Sequence, residues 1–287
     1  MKTVIITGSG RGLGLEMAKV FRKNNYNVVL SDVNEQNLIS GVEKLKAISS
    51  EGNVSGFICN VSILEDVEKL FVKAKEEYKQ IDIWINNAGV NQSNKYAWEL
   101  TESQIQILID VDLKGAINGT NVALRNMKEQ GFGAIYNVEG FGSNDAYQDF
   151  LAIYGTTKRA VTYFTQAVAH EIDSTKTNVI IGRLSPGIMI TDFITSQAGS
   201  KDKITLSDKV KKVYNILGDY PNVVAQFLVS KMIKNKKNNV QISWLTNFKA
   251  FKRFMLAGFN KRDFFKWNGK TQLNLIWYFQ SRQVSVH

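Results

Sequence analysis

The chain has 287 residues, 44% of them hydrophobic, and only two prolines, a composition that favours a globular protein with a large core. Its single cysteine, Cys59, excludes a disulfide framework, and its two histidines, His170 and His287, argue against a metal site. The net charge of +10 lies at the end of the chain, because residues 231–287 hold twelve lysines and arginines and one acid, whereas residues 1–230 carry −1.

The first predicted strand, residues 3–7, stands almost at the start of the sequence. We therefore expect no signal peptide before it. No stretch reaches the roughly 18 consecutive apolar residues that a membrane-spanning helix requires. These features favour a cytoplasmic protein.

A glycine-rich stretch, TGSGRGLG at residues 7–14, follows this strand and leads into a predicted amphipathic helix. Glycines let the backbone turn sharply and approach a pyrophosphate, which the first N–H groups and the dipole of the helix attract. A tight turn without a ligand is the alternative interpretation. The residues that we predict to bind a dinucleotide here are Gly8, Ser9, Arg11, Gly12, Leu13 and Gly14.

The second predicted strand, residues 27–32, ends in Asp32, 18 residues after Gly14. A carboxylate near this offset bonds both ribose hydroxyls of adenosine and repels a 2′-phosphate, which favours NAD(H). Arg11 favours the phosphate of NADP(H) instead, because a guanidinium binds phosphate well. Since Asp32 would touch the ribose itself, we expect NAD(H) to be preferred, with NADP(H) as the alternative.

Helices and strands then alternate. The pattern predicts a helix over 35–48, a strand over 54–59, a helix over 62–79 and a strand over 81–85, which runs into NNAG at 86–89. This alternation indicates an α/β fold with a doubly wound parallel sheet, whose ligands bind at the carboxyl ends of the strands.

Tyr154 and Lys158 begin a further predicted helix, in which apolar residues recur at helical spacing. Positions i and i+4 share one helix face, so the phenol and the ammonium point into the same space. A cation that close is expected to lower the pKa of the phenol, which would suit proton exchange with a carbonyl or an alcohol. Alone, the pattern also fits two ordinary surface residues.

Four motifs occur in the order and spacing of the short-chain dehydrogenase/reductases: TGSGRGLG at 7–14, NNAG at 86–89, YGTTK at 154–158 and SPGIMIT at 185–191. The chain resembles this family over about residues 1–195. The resemblance implies a Rossmann-like fold and a nicotinamide cofactor, with Tyr154 as acid/base and Lys158 on the nicotinamide ribose. The other residues that it assigns to the cofactor are Asn60, Val61, Asn87, Ala88, Gly89, Pro186, Gly187, Ile188, Met189 and Thr191.

Two positions depart from the family pattern. Where the family has Asn in a VNLxG-like run, residues 111–115 read VDLKG, so Asp112 would hold the water that serves Lys158, with a charge that can pair with that lysine. Where many members read NISS, residues 137–140 read NVEG, and the next hydroxyl is Ser143. We expect Gly140 and Gly142 to let the loop fold so that the Ser143 hydroxyl reaches the substrate carbonyl. A plain helix residue and a surface serine are the alternative interpretations.

The loop pattern at residues 137–143 resembles the chlorophyll b reductases and their bacterial relatives, and the segments at 213–221 and 242–246 are similar in order and length. Asp32 departs from that branch, because its plant enzymes favour NADPH. Apolar residues after Thr191, where the family closes a lid, suggest a largely apolar substrate.

The sequence therefore predicts an oxidoreductase that transfers a hydride between NAD(P) and a carbonyl or alcohol group of such a substrate, with Tyr154, Lys158, Ser143 and Asp112 as catalytic residues. The alternative is a nucleotide-binding sensor or scaffold subunit whose chemistry has decayed, favoured by Asp112 and the lost tandem serine. The intact Tyr154 and Lys158 count against it. The family is usually dimeric or tetrameric, so we expect a homo-oligomer.

We predict a Rossmann-like domain over residues 1–245 and a basic, aromatic helical extension over 246–287. One stripe of the predicted helix holds Phe248, Phe251, Met255 and Phe259. Packing of this stripe on the domain or on a partner subunit is the favoured interpretation. Contact with an anionic membrane surface is the second, and nucleic-acid binding is unlikely.

Overall fold

In the computed structural model, which describes residues 1–200, 202–259 and 262–265, parallel strands form one sheet of seven in the order β3-β2-β1-β4-β5-β6-β7. The strands are β1 Thr3–Thr7, β2 Asn27–Asp32, β3 Val54–Ile58, β4 Ile83–Asn86, β5 Gly133–Val138, β6 Val179–Ser185 and β7 Val240–Ser243. The strand order reverses between β1 and β4, which makes their carboxyl ends the expected ligand crevice. The predicted doubly wound parallel sheet is confirmed.

Helices cover both faces of this sheet. Over the described residues they are α1 Gly12–Lys23, α2 Glu35–Lys46, α3 Leu64–Tyr78, α4 Glu102–Leu108, α5 Gly115–Gln130, α6 Ala152–Thr175, α7 Asp208–Leu217, α8 Pro221–Lys234 and α9 Asn247–Met255. Within that part of the chain, none has the length and apolar character needed to cross a bilayer.

On each face of the sheet, a hydrophobic core lies between the strands and the helices that cover them. On one face, α1, α2 and α8 pack on the strands through buried side chains such as Phe21 and Leu228. On the other, α3, α5 and α6 pack around Trp84, whose ring stacks on Phe71 with centroids 5.9 Å apart. Strands β1, β2 and β4 are buried along their whole length, which explains why they read as continuous apolar runs.

The helical segment between β4 and β5 is divided. Between α4 and α5 the backbone forms a π-helical turn over Ile109–Lys114, and Asp112 lies in this turn. A π-helical turn inserts an extra residue into the helix and often occurs at functional sites. The turn therefore gives Asp112 a position that a regular helix over the same residues would not.

The C-terminal extension differs from the favoured expectation. Helix α9 forms, but Phe248 is 77% exposed and Phe259 is 87% exposed, and Phe251 and Met255 are exposed as well. Packing of this stripe on the chain's own described residues is therefore wrong. Contact with a partner subunit stays a prediction, as does the domain boundary at residue 245. Residues 266–287 of the predicted extension lie outside the described residues.

Candidate active site

The glycine-rich loop between β1 and α1 is pressed against the end of β4. Gly8 and Gly12 adopt φ angles of 59° and 61°, which favour glycine. A side chain on Gly8 would approach the Ala88 Cα to 2.6 Å. The Asn87 side chain donates to the carbonyl oxygens of Thr7 and Gly8, both at 2.9 Å. Asn87 thus holds the loop in place.

The start of α1 is suited to an anion. Its first turn contains no acidic residue, and the N-cap residue, Arg11, makes no side-chain capping bond. The first N–H groups therefore remain available for phosphate oxygens. Ser9, however, is fully buried, and its hydroxyl donates to the Ile6 carbonyl at 2.7 Å and accepts from the Ser31 N–H at 3.0 Å. The Ser9 side chain joins the loop to β2, and the Ser9 N–H does the same by donating to the Ser31 carbonyl at 2.9 Å.

Asp32 lies at the carboxyl end of β2, beside the same loop. Its two carboxylate oxygens accept N–H bonds from Gly10 and Asn34, each at 3.0 Å. These bonds fix the carboxylate and leave lone pairs for further donors, because each carboxylate oxygen can accept more than one bond. Arg11, the residue after Gly10, is exposed. The glycine cradle, the open helix start and the fixed carboxylate fit a dinucleotide.

Asn60 and Val61 follow β3 at the same edge of the sheet. The Asn60 side chain accepts the Ser62 N–H at 3.1 Å, so it stabilises a turn. Val61 is buried, and its carbonyl accepts from the Asn118 side chain at 2.9 Å. Both residues were predicted to bind the cofactor. The structure places Asn60 in a turn and Val61 in a buried position at this edge of the sheet.

The segment after β6 is tied to the segment before α8. Gly187 has a φ of 72°, and a side chain there would approach the Leu245 Cβ to 2.7 Å. The Ile190 N–H donates to the Asp219 carbonyl, and the Asp219 N–H donates to the Ile188 carbonyl, both at 3.0 Å. These contacts hold the predicted nicotinamide segment, Pro186 to Thr191, at the carboxyl ends of β6 and β7.

A buried ion pair occupies the centre of the site. The Lys158 ammonium lies 3.1 Å from Oδ1 of Asp112, which also accepts the Val90 N–H at 3.2 Å. Burial raises the pKa of Asp112, whereas the charge of Lys158 lowers it. Among the described residues, Oδ2 of Asp112 has no hydrogen-bond partner. A side chain on Gly89 would approach Oδ1 to 2.7 Å, so the glycine leaves room for the pair.

Tyr154 stands one helical turn before Lys158, in the first turn of α6. It is buried, its ring centroid lies 6.1 Å from that of Phe193, and the Lys158 ammonium is 5.5 Å from its ring centre. Burial raises the pKa of the Tyr154 phenol, and the charge of Asp112 raises it further. The expectation of a lowered pKa is therefore wrong for this structure, because Asp112 offsets the charge of Lys158 and the pocket is apolar.

The loop after β5 lies directly on the start of α6. Gly142, with a φ of 92°, faces Gly155 so closely that a side chain would approach the Gly155 Cα to 2.5 Å. A side chain on Gly140 would meet the Tyr154 hydroxyl. Two glycines facing each other thus bring the loop onto the helix, and a third leaves the phenol uncovered.

Ser143 is buried in this loop. Its hydroxyl donates to the Lys158 carbonyl and accepts the Gly140 N–H, both at 3.3 Å. The hydroxyl therefore fastens the loop to α6 in this structure. The predicted bond to a substrate oxygen would require the hydroxyl to rotate away from the Lys158 carbonyl.

Gln92 is a site residue that the sequence did not reveal. It is almost fully buried, and its side-chain oxygen accepts the N–H groups of Ile153 at 2.9 Å and Tyr154 at 3.1 Å. These bonds satisfy free N–H groups at the start of α6 and so position Tyr154. Gln92 lies in an irregular segment after β4, and no local sequence pattern marks it.

Glu139, at one of the usual serine positions, points away from the site. Its carboxylate accepts from the Thr162 hydroxyl at 3.0 Å and the Gln241 side chain at 2.7 Å, and it lies 3.6 Å from the Arg183 guanidinium. Because these partners belong to α6, β7 and β6, Glu139 joins three elements to the end of β5. Its role is structural.

Several known proteins are similar to this chain. A family model described as short chain dehydrogenase matches residues 2–202. The chlorophyll(ide) b reductase NOL, chloroplastic, of Oryza sativa subsp. japonica is 35% identical over 257 residues, which are 87% of this chain and 73% of that protein. The probable chlorophyll(ide) b reductase NYC1, chloroplastic, of Arabidopsis thaliana is 33% identical over 261 residues, 85% of this chain but only 51% of that protein.

A solved short-chain dehydrogenase/reductase from Burkholderia phymatum in complex with NAD has the same fold. It superposes with a TM-score of 0.75 at 20% identity, over 93% of this chain and 98% of that one. The chain is thus similar in sequence to chlorophyll(ide) b reductases and in fold to an NAD-bound member of the same family. By its motifs, its sheet order and the match to the family model over residues 2–202, this chain belongs to the short-chain dehydrogenase/reductase family.

Proposed function

We propose that this protein is an NAD(P)-dependent reductase of a carbonyl group on a largely apolar substrate, with Tyr154 as the proton donor. The observation that carries this proposal is the buried cluster of Tyr154, Lys158 and Asp112 against Gly89, in the same fold as a glycine loop that is bonded to Asp32. A nicotinamide cofactor, when bound, supplies the hydride. Residues 8–14, Asp32, Asn87 and the 186–191 segment would hold it.

Three side chains, those of Tyr154, Lys158 and Asp112, would carry out the proton transfer. Tyr154 would donate its hydroxyl proton to the oxygen of the reduced carbonyl, and Lys158 would return a proton through water. Asp112 would hold the Lys158 ammonium through Oδ1, and its unpartnered Oδ2 is suited to accept a hydrogen bond from that water. A phenol with a raised pKa keeps its proton at neutral pH, so Tyr154 is available as the proton donor for reduction.

The surroundings of Tyr154 support an apolar substrate. Tyr154 belongs to a buried hydrophobic cluster against which Phe141, Leu151 and Phe193 pack. Similarity to chlorophyll(ide) b reductases suggests a large, flat carbonyl compound, and chlorophyll(ide) b is the first candidate. A smaller apolar ketone would fill the same walls less completely and is expected to react with a higher KM.

The proposed function is tested by incubating the purified protein with NADH and chlorophyll(ide) b, and in parallel with a panel of apolar ketones and aldehydes. We expect oxidation of NADH together with an alcohol product that is two mass units heavier than the carbonyl compound. Tight cofactor binding without turnover of any carbonyl compound would instead favour a nucleotide-binding sensor or scaffold whose chemistry has decayed.

Cofactor choice gives one prediction. We expect NADH to bind at least about tenfold more tightly than NADPH, a difference of roughly 1.4 kcal/mol, because Asp32 would bond the ribose and repel a 2′-phosphate. Asp32→Asn should reduce this ratio, and Arg11→Ala should increase it, when both cofactors are titrated by fluorescence. Equal affinities in the unaltered protein would mean that Arg11 offsets Asp32.

The hydroxyl of Ser143 gives a second prediction. Ser143→Ala should lower kcat for carbonyl reduction by about 10- to 1000-fold if the hydroxyl stabilises charge that develops on the carbonyl oxygen. Thermal melting of the same variant measures its loop-fastening role separately. A wild-type rate would assign the oxygen to another donor, such as an N–H group of residues 140–143.

A further inference from the structure

Helix α9 and the turn after it present an unusual surface. We define the α9 aromatic face as Phe248, Phe251, Met255 and Phe259. All four side chains are exposed, and Phe254 and Leu256 beside them are exposed too. An exposed, contiguous group of large apolar side chains marks an interaction site more often than a solvated surface.

The opposite side of α9 is held on the fold by polar contacts. The Arg253 guanidinium lies 2.7 Å from one oxygen of Asp219 and donates to the other at 3.1 Å, and it also donates to the Leu217 carbonyl at 2.8 Å. Trp244 donates to Asp219 at 2.6 Å. These contacts orient the helix so that its aromatic face points away from the domain.

The net charge of the sequence segment that contains α9 distinguishes among occupants. Lys252 is exposed on α9, and residues 231–287 carry a net charge of +11 in the sequence. Two copies joined through α9 would bring these positive charges together, which opposes pairing. An anionic surface has the opposite sign, and each lysine or arginine near it contributes to attraction.

We propose that the α9 aromatic face docks on the surface of an anionic lipid bilayer. The aromatic and aliphatic side chains would enter the boundary between headgroups and acyl chains, while the exposed Lys252 contacts the headgroups. Helix α9 packs on α7, so the docked side of the protein is the side that carries α7. Docking of this kind is independent of the reaction at Tyr154, and a homo-oligomer can form through other faces.

The experiment uses the full chain and sedimentation with vesicles of phosphatidylglycerol mixed with phosphatidylcholine, or of phosphatidylcholine alone. We expect binding to the mixed vesicles only, with a loss of about tenfold or more when salt rises from about 0.1 M to about 1 M. Phe251→Ser/Phe259→Ser should lose at least about tenfold in vesicle binding and keep the wild-type melting temperature, because both side chains are already exposed.

Ile39→Ser/Val72→Ser is the matched control. It removes two exposed apolar side chains from α2 and α3, and it should bind vesicles as the wild type does. Three results would overturn the proposal: no vesicle binding at any salt, full binding by the Phe251→Ser/Phe259→Ser variant, or a clear fall in its melting temperature. Dissociation of an oligomer by the same variant, measured by light scattering without vesicle binding, would assign the face to a second copy instead.

Discussion

Tyr154→Phe is expected to lower kcat for carbonyl reduction by about 100- to 10,000-fold, the usual contribution of a positioned general acid. The phenol is buried against Phe193, so phenylalanine keeps the ring and its packing and removes only the hydroxyl. NADH affinity should change less than about twofold, because a residue that acts only in the transition state contributes little to ground-state binding.

Tyr163→Phe is the control for this change. Tyr163 lies on the same helix, α6, but is 74% exposed, so its hydroxyl should contribute nothing to the rate. Single-turnover measurement at saturating NADH separates the chemical step from cofactor binding. Retained turnover in Tyr154→Phe would show that Tyr154 is not the proton donor. The role that the family resemblance implies for this residue would then not apply to this chain.

Much of the fold was predictable because parallel strands that are buried on both faces appear in the sequence as continuous apolar runs. Strands β1 and β2 have the predicted bounds, since each is a short apolar run that ends at a glycine or an acid. Ends of helices were less accurate: the helix predicted over 35–48 ends at Lys46. Helix ends depend on capping contacts, which the pattern of apolar residues does not encode.

The local electrostatics of the site were not predictable in the same way. Spacing places Tyr154 and Lys158 on one face, but the pKa of the phenol depends on burial and on Asp112, 42 residues earlier in the sequence. The π-helical turn that carries Asp112 has no pattern of its own. Gln92 is recognisable only once the start of α6 lies beside it.

The orientation of α9 on the domain was not predictable from the sequence either. Helical periodicity shows that α9 has an apolar and a basic side, and burial of the apolar side is the usual outcome. Here Asp219 binds Arg253, so this side chain faces the domain while Lys252 stays exposed. That acid lies 34 residues before its partner, and nothing in the helix itself indicates the contact.

Asp112→Asn is expected to change the pH dependence of reduction more than its maximum rate. In the wild type, the carboxylate 3.1 Å from the Lys158 ammonium offsets the cation that would otherwise stabilise a phenolate. Burial and the charge of Asp112 both raise the pKa of Tyr154. Asparagine keeps the size and a hydrogen-bond acceptor but removes the negative charge, so the pKa of Tyr154 should fall.

The sign of the effect follows from the role of the phenol. Tyr154 donates a proton only while it is protonated, so kcat/KM for reduction declines as pH rises through its pKa. We expect the midpoint of this decline to lie at a lower pH in Asp112→Asn than in the wild type. Above that midpoint each further pH unit costs the variant about tenfold in rate, whereas the two rates converge at neutral pH and below.

Asp110→Asn tests whether any loss of an acid in the π-helical turn has this effect. Asp110 lies in the same turn but is only partly buried, and its replacement should leave the pH profile unchanged. Phenolate absorbance provides a second readout without turnover: the titration of each protein minus that of the same protein with Tyr154→Phe isolates this phenol. Unshifted titration in Asp112→Asn would show that burial alone sets the pKa of Tyr154, and Asp112 would then act only by holding Lys158 in place.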